Sequence, residues 1–310
     1  MDLGENVSSH NSMTARSVSL LAPLVRSSQT RGILGAAPAA SAWNEPSITV
    51  KSARWKSAIA DPKRYVSEPL VTLEIDLQGA LNIFRLASKR KTKVIFASTS
   101  EVYGRNPRIP WKEDDDRLLG STKINRWCYG TAKAAGEHYC YAYRQQEGMP
   151  FVIYRFFNVY GPRLDDLGSG RVLPIFLKQC LHGEPMTIHG DGAQTRSFVY
   201  VEDAADCVVR GMFHEAAEGQ VFNVGSPQEI SIRDLAVKLK EVGQFSSPVV
   251  FVPHREVFGP SYEDIPRRMP DVSKAKKVLG WEATTTLEDG LSKTIAYYRD
   301  KAQGPCEPVR

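Results

Sequence analysis

Lys93-Val94-Ile95-Phe96-Ala97-Ser98-Thr99-Ser100-Glu101-Val102-Tyr103-Gly104 passes without a break from an apolar run into a cluster of hydroxyls. The run Lys93 to Ala97 is short, holds β-branched residues and lacks polar alternation. Such runs suit a strand buried on both faces, as in a parallel sheet. Hydroxyls at the carboxyl end of a parallel strand lie where open α/β sheets bind ligands. Upstream, Pro69 to Ala87 carries Leu70, Leu73, Leu77, Leu81 and Phe84 at spacings of three or four. That pattern predicts an amphipathic helix with Pro69 in its first turn. Downstream, Trp127 to Glu147 reads as a helix closed by Gly148, and Phe151-Val152-Ile153-Tyr154 as a second buried strand. Helix and strand alternate, which predicts an α/β fold with a doubly wound parallel sheet.

Beyond that strand the pattern is mixed. Val172 to Leu181 reads as a helix, and Thr187 to Asp191 as a strand ending in the turn Gly190-Asp191-Gly192. Phe198 to Val201 and Val221 to Val224 read as strands flanking a helix near Ala204 to His214. Ser231-Ile232-Arg233-Asp234 opens a helix through Leu239 in the manner of a capping box, and Ser273 to Leu279 and Leu287 to Tyr298 are further helices. Fewer strands and more loops suit a smaller lobe that closes over a substrate. The loop acids Glu113 to Asp116 are expected on a solvated face.

The chain has 310 residues, 42% hydrophobic and 24% charged, which suits one large or two modest soluble domains. Its 40 basic and 35 acidic residues leave only +5, with no Lys/Arg block. That argues against a nucleic-acid partner. No apolar run approaches the roughly 18 residues needed to cross a bilayer. No membrane partner and a cytoplasmic location are therefore expected. The five cysteines are odd in number and form no C-x-x-C, and the six histidines show no H-x-x-x-H. Free thiols in a reducing compartment and no metal site are expected.

Tyr129-Gly130-Thr131-Ala132-Lys133 carries the sharpest chemical signal. Positions i and i+4 share one face of a helix, so the phenol and the ammonium point together. A lone tyrosine, with a pKa of about 10, is a poor base at neutral pH. A neighbouring ammonium favours the phenolate. Amphipathic helices also produce Y-x-x-x-K by chance, so the strand-end hydroxyls matter. Together they make a site with one group to hydrogen-bond a substrate hydroxyl, one to move its proton and one to tune the base.

Further stretches follow in order: Ala60-Asp61-Pro62, Arg155-Phe156-Phe157-Asn158-Val159-Tyr160-Gly161-Pro162-Arg163, and Gly190 to Phe198 (GDGAQTRSF). They continue with Val201-Glu202-Asp203, Phe222-Asn223-Val224-Gly225, Arg267-Arg268-Met269-Pro270-Asp271 and Leu279-Gly280-Trp281. With these motifs the chain resembles the extended short-chain dehydrogenase/reductase family, in particular its NAD-dependent nucleotide-sugar epimerases, dehydratases and decarboxylases. The resemblance implies NAD as cofactor, a UDP-sugar as substrate and a homodimer paired through the Trp127 to Glu147 helix. It implies catalytic roles for Thr99, Glu101, Tyr129 and Lys133, with Ala97, Ser98, Tyr129, Lys133 and Phe156 against the cofactor. Asn158, Arg171, Val172, Thr187, His189, Arg196 and Arg268 would meet the sugar nucleotide, the last two arginines at its diphosphate. Glu101, Arg126-Trp127, Gly161 to Asp165 and Arg268 to Pro270 look most like the UDP-glucuronate decarboxylase branch. A UDP-sugar 4-epimerase is the alternative. A non-catalytic UDP-sugar-binding homologue is the alternative of another class.

The resemblance implies a Rossmann-like NAD-binding domain over 46–167 and 197–225, and a nucleotide-sugar-binding lobe over 168–196 and 226–303. Residues 1–45 are left unassigned, transit-like or disordered, and 304–310 form a tail. The family opens with a strand and a Gly-x-x-Gly-x-x-Gly turn that holds the pyrophosphate at a helix N-terminus. Here there is only Gly32-Ile33-Leu34-Gly35, with Pro38 at the third position and no buried strand ahead of it. Only 12 residues separate Gly35 from Ile48, whereas a βαβ unit takes about 30 or more. The first βαβ portion is thus expected to be missing or replaced, and affinity for NAD to be low. Asp76 stands where the family usually has asparagine.

Overall fold

The computed structural model describes residues 17–20, 59–164, 167, 170–259 and 263–303. Strand β1 (Ser17–Leu20) is followed by α1 (Pro62–Ser67) and α2 (Pro69–Leu73), which are separated by the single residue Glu68. Asp61 caps α1 by accepting the Lys63 N–H at 2.9 Å. From Pro69 the helix expected from the leucine spacing runs on to Arg90, but not uniformly. Glu74–Gly79 is a π-helical turn, and α3 (Ala80–Arg90) resumes after it. The period of the apolar residues does not distinguish such a turn from ordinary α-helix, because the insertion is paid out over a single turn.

The decisive stretch forms β2 (Lys93–Thr99), with Val94, Ile95 and Phe96 all buried. Next come α4 (Cys128–Glu147), β3 (Phe151–Phe156) and the short β4 (Asn158–Tyr160). Gly148 closes α4 at φ 67°, its N–H donating to the Arg144 carbonyl at 3.0 Å. There follow α5 (Val172–Leu181), β5 (Met186–His189), β6 (Thr195–Tyr200), α6 (Val201–Phe213) and β7 (Gln220–Val224). The chain continues with β8 (Glu229–Ser231), α7 (Ile232–Gly243), β9 (Val249–Val252) and α8 (His254–Phe258). It ends with β10 (Arg267–Arg268), α9 (Ser273–Leu279) and α10 (Leu287–Gln303). Ser231 caps α7 as expected, accepting the Asp234 N–H at 3.0 Å, and the helix continues past Leu239 to Gly243.

The main sheet has the order β1-β2-β3-β7, every pair parallel. On one face Ile95, Val152, Tyr154 and Phe222 pack with Val208 of α6 and Leu279 of α9. On the other, Phe96, Phe151 and Ile153 pack with Phe84 of α3 and Cys140 of α4. Helices cover both faces, which is why β2 and β3 show no polar alternation. This is the doubly wound α/β arrangement. Strand β1 corrects one expectation: a strand does precede Gly32, and Ser17 to Leu20 stand beside Lys93 to Phe96 in parallel register. Nothing in Ser17-Val18-Ser19-Leu20 signals it, because four residues are too few to show a buried run. The Gly32 to Gly35 segment lies outside the described residues.

A second layer holds β10-β6-β4 with β8 antiparallel to β6, and a separate parallel pair β5-β9. Leu173, Phe176, Ile188, Leu235, Leu239, Leu291 and Ile295 form the core around them. Among the described cysteines, Cys128, Cys140, Cys180 and Cys207 are free thiols.

One acid departs from its expected place. Glu113 is buried, because its Oε1 accepts the Asn223 N–H at 2.8 Å at the end of β7. Burial pushes its carboxyl up. Asp114 and Asp116 of the same cluster are exposed. A run of like charges gives no sign that one member is needed inside.

Beneath the β2 and β3 ends, Arg155 grips Glu137 of α4 through Nη2 at 2.6 Å and Nε at 3.0 Å. Nη1 of the same arginine donates to the Tyr103 hydroxyl at 2.9 Å and the Glu113 carbonyl at 2.6 Å. Removing one partner of such a pair leaves an uncompensated buried charge. Glu137→Ala is therefore expected to cost about 3–5 kcal/mol in urea unfolding. A loss below about 1 kcal/mol would show that Arg155 is held without it.

Candidate active site

Strand β2 ends at Thr99, whose side chain caps a tight turn over Ser100–Tyr103 by accepting the Glu101 N–H at 3.3 Å. Helix α4 starts against this turn, so Tyr129 and Lys133 occupy its first two turns. Gly130 permits the approach: a Cβ there would stand 2.7 Å from the Glu101 carbonyl oxygen. The Thr99 side chain stands close enough to the Tyr129 phenol to favour its ionised form. Lys133 Nζ donates to the Ala97 carbonyl at 3.1 Å, and Phe156 of β3 is paired directly beside Thr99. Thr99, Glu101, Tyr129 and Lys133 thus meet at one strand end, with Ala97 and Phe156 next to them.

The electrostatics differ from expectation. The phenol of Tyr129 is held above its ordinary range, not below it. Burial is the largest cause, and the carboxylate of Asp76 adds to it; Arg171 acts in the opposite direction. Lys133 lies 5.8 Å from the centre of the Tyr129 ring. Its own ammonium is pushed down by burial. A neighbouring cation eases ionisation only as far as lost hydration does not outweigh it. Tyr65 of α1 lies flat against the same phenol, ring centres 5.3 Å apart and planes 2° from parallel.

Glu101 is the most tightly bound acid of the site. Oε2 pairs with Arg126 Nη1 at 2.5 Å and Oε1 with Arg268 Nη1 at 2.5 Å. Burial alone would raise this carboxyl, but Arg126 and then Arg268 outweigh it and hold it down at about 2. Arg196 pairs with Asp264 at 2.9 Å and donates to the Ile265 carbonyl at 2.8 Å. Both arginines expected at a diphosphate therefore contact carboxylates here. Three guanidiniums against Glu101 and Asp264 leave one positive charge, so the cluster suits one more anion.

The remaining expected residues are spread more widely. The Ser98 hydroxyl donates to Glu137, on the covered side of the sheet. Asn158 Nδ2 donates to the Ser197 carbonyl at 2.8 Å. Arg171, at the start of α5, reaches back to the Ala60 carbonyl at 3.3 Å, and Val172 packs at the edge of the lobe core. Thr187 exchanges hydrogen bonds with the Gln179 side chain at 2.9 and 3.0 Å. His189 faces His254 with ring centres 6.5 Å apart. Sequence reasoning did not assign Tyr65, Asp76, Arg126 or Asp264 to the site. Arg126 had a signal, standing in the stretch before Tyr129. Tyr65 and Asp264 had none, since no spacing relates them to Tyr129.

With this geometry in hand, comparison with known proteins places the chain. Residues 56–225 match the NAD dependent epimerase/dehydratase family, and the chain belongs to that family. It is 40% identical over 244 residues to a UDP-N-acetyl-alpha-D-glucosaminuronate decarboxylase of Bacillus cytotoxicus, covering 79% of this chain and 75% of that protein. It is 36% identical to UDP-glucuronic acid decarboxylase 1 of Xenopus tropicalis, again over 79% of this chain but only 56% of that protein. The chain thus spans little more than half the length of the Xenopus relative. Among solved structures it is similar to UDP-glucose 4-epimerase of Thermotoga maritima with UDP-glucose, at TM-score 0.72 and 31% identity, over 79% of this chain and 76% of that one. It is also similar to UDP-glucuronic acid 4-epimerase of Bacillus cereus in complex with UDP-glucuronic acid and NAD. There the TM-score is 0.69 and the identity 27%, over 78% of this chain and 73% of that one.

The Glu101 carboxyl is depressed, so it adds stability above the ordinary glutamate range, about 4.3. That contribution is lost as pH falls toward about 2. Arg126→Met removes the larger of its two cationic partners. Carboxyl ¹³C NMR of the variant should show Glu101 titrating at higher pH than in the parent. An unchanged titration would mean that Arg268 suffices alone.

Proposed function

We propose that the chain is a nucleotide-sugar decarboxylase of the UDP-glucuronate type, which oxidises the sugar at C4, releases carbon dioxide and reduces the product again. The observation that carries this reading is Glu101, held ionised between Arg126 and Arg268 within one turn of Thr99 and close to Tyr129. The decarboxylases among its relatives support it. The family is NAD dependent. The buried Tyr129/Lys133 pair at the end of β2 fits the nicotinamide ribose end of that cofactor, and these two residues would hold it there. When bound, NAD supplies hydride chemistry at the sugar carbon.

The chain's own groups have separable tasks. Thr99 orients the sugar 4-hydroxyl and Tyr129 Oη takes its proton once a bound ligand, together with the Lys133 ammonium, offsets the burial that keeps the phenol protonated. The surplus positive charge of the arginine cluster holds the sugar's carboxylate beside Glu101. A 4-keto uronic acid is a β-keto acid, which loses carbon dioxide without a metal. Glu101, ionised and fixed, accepts rather than gives a hydrogen bond, so it would orient a water, and solvent supplies the proton that replaces the lost carboxylate at C5. Asn158, Arg171, Thr187 and His189 would serve the nucleotide, and Arg196 would have to leave Asp264 to reach a diphosphate. The 4-epimerase reading shares Thr99, Tyr129 and Lys133.

A pairing of two copies through α4 belongs to the same reading. Tyr139 and Tyr141 are 37% and 42% exposed on that helix. Sedimentation at micromolar concentration should show a dimer, and a monomer would count against the pairing. Among the described residues no helix is long and apolar enough to cross a membrane.

The reaction is tested with UDP-glucuronate and NAD, the cofactor in large excess because its binding is expected to be weak. Mass spectrometry should find a pentose nucleotide and released carbon dioxide, whereas a product of unchanged mass would assign the chain to the epimerases. Tyr129→Phe should lower turnover by about 10²–10⁴-fold, the usual contribution of a general base, with UDP binding by calorimetry retained. A loss of less than about tenfold would remove Tyr129 from that role. Calorimetric titration with NAD should give weak binding, because no Gly-x-x-Gly-x-x-Gly stands ahead of Pro62. Micromolar affinity would show that residues before Pro62 build a phosphate cradle of another sequence.

A further inference from the structure

Asp76 lies on the π-helical turn Glu74–Gly79, with its side chain buried rather than in water. Oδ1 accepts the Ile59 backbone N–H at 3.0 Å. Oδ2 is fully buried and has no hydrogen-bond partner among the described residues. A buried carboxylate oxygen without a donor is costly. The π turn is a second cost, and such turns occur mostly at functional sites. Two costs at one residue point to a task.

The groups that face Asp76 identify it. Among the described residues, the titratable groups interacting with it are Lys133, Tyr129 and Cys128, all on α4, which packs against the π turn. Lys133 is itself buried, with the Ala97 carbonyl as its hydrogen-bond acceptor. A carbonyl satisfies a donor but does not balance a charge. Burial pushes the Lys133 ammonium toward neutrality, and Asp76 opposes that. We propose that Asp76 is a positioning residue of this site: its carboxylate is the buried counter-charge that keeps Lys133 an ammonium beneath the end of β2. The proposal rests on the reading of Tyr129 and Lys133 as the proton-transfer pair. An asparagine here would keep the bond from Ile59 and lose the charge.

The influence of the two charges on each other makes the site sensitive to pH. Burial raises the Asp76 carboxyl from 3.8 to about 6, against the opposing pull of Lys133 and the Ile59 N–H. A carboxyl raised in the folded state contributes stability below its unfolded value and loses it as pH rises through the folded value. The parent should therefore lose stability relative to Asp76→Asn between about pH 4 and pH 6. Above that window the carboxylate is charged and its attraction for the Lys133 ammonium acts in full.

The test is a double-mutant cycle on the full chain, by urea unfolding at pH 5 and pH 8. It uses the parent, Asp76→Asn, Lys133→Met and the double variant. At pH 8 a coupling of about tenfold in the unfolding equilibrium constant is expected, the equivalent of one pKa unit. At pH 5, with Asp76 mostly protonated, it should shrink below about twofold. No coupling at pH 8, or the same coupling at both pH values, would overturn the proposal. Should Lys133→Met fail to fold, ¹⁵N NMR of the lysine Nζ decides. Lys133 should lose its proton at lower pH in Asp76→Asn than in the parent, and an unchanged titration overturns the proposal. Neither measurement needs turnover, so they stand or fall apart from the proposed reaction.

Discussion

The Glu101 carboxylate joins three parts of the chain that are far apart in sequence. It belongs to the turn after β2, Arg126 to the turn before α4, and Arg268 to β10 near the C-terminal helices. All three side chains are largely removed from water. Breaking such a contact leaves a buried charge without a partner, so the pieces hold one another in register. The strand end, the helix that carries Tyr129 and the segment that carries Arg268 are thereby fixed around one point.

The same logic operates one layer deeper. Arg155 and Glu137 tie β3 to α4 beneath the site, and the Ser98 hydroxyl joins the same carboxylate. Lys133 lies one helical turn before Glu137 on α4, so its reach to Ala97 depends on that anchorage. Replacing such pairs by apolar residues often costs nothing in stability. Their value here is direction: they decide which way the polar side chains at the strand end point. Asp76 lies on the π turn that packs against the same helix, α4.

The site is in this way a stack of paired charges with one unbalanced positive charge at its mouth. Burial strengthens each pair and also restrains the phenol, which lies well above its ordinary range. A site of this kind keeps Tyr129 protonated until a ligand changes what surrounds it. That is consistent with a base that works only on a bound sugar hydroxyl.

The sequence by itself determined the architecture and pointed to the side chains that gather at the candidate site. Unalternated apolar runs at Lys93 and Phe151, between helices of clear period, leave little but a parallel sheet covered on both faces. Tyr129 and Lys133 are four apart on one helix, and the hydroxyls directly follow the strand, so local spacing suffices to find them. Tertiary structure alone decided the rest. The Glu113 carboxylate is buried because Asn223, more than a hundred positions away, offers it an N–H. The π turn at Asp76 and the strand at Ser17–Leu20 leave no periodic trace. Glu101 is ionised, and Tyr129 is not, because of partners brought in by folding: two arginines for one, burial and a carboxylate for the other. Local order is written in spacing along the chain, whereas charge state depends on distance through a medium of low polarity, and that distance exists only in the folded molecule.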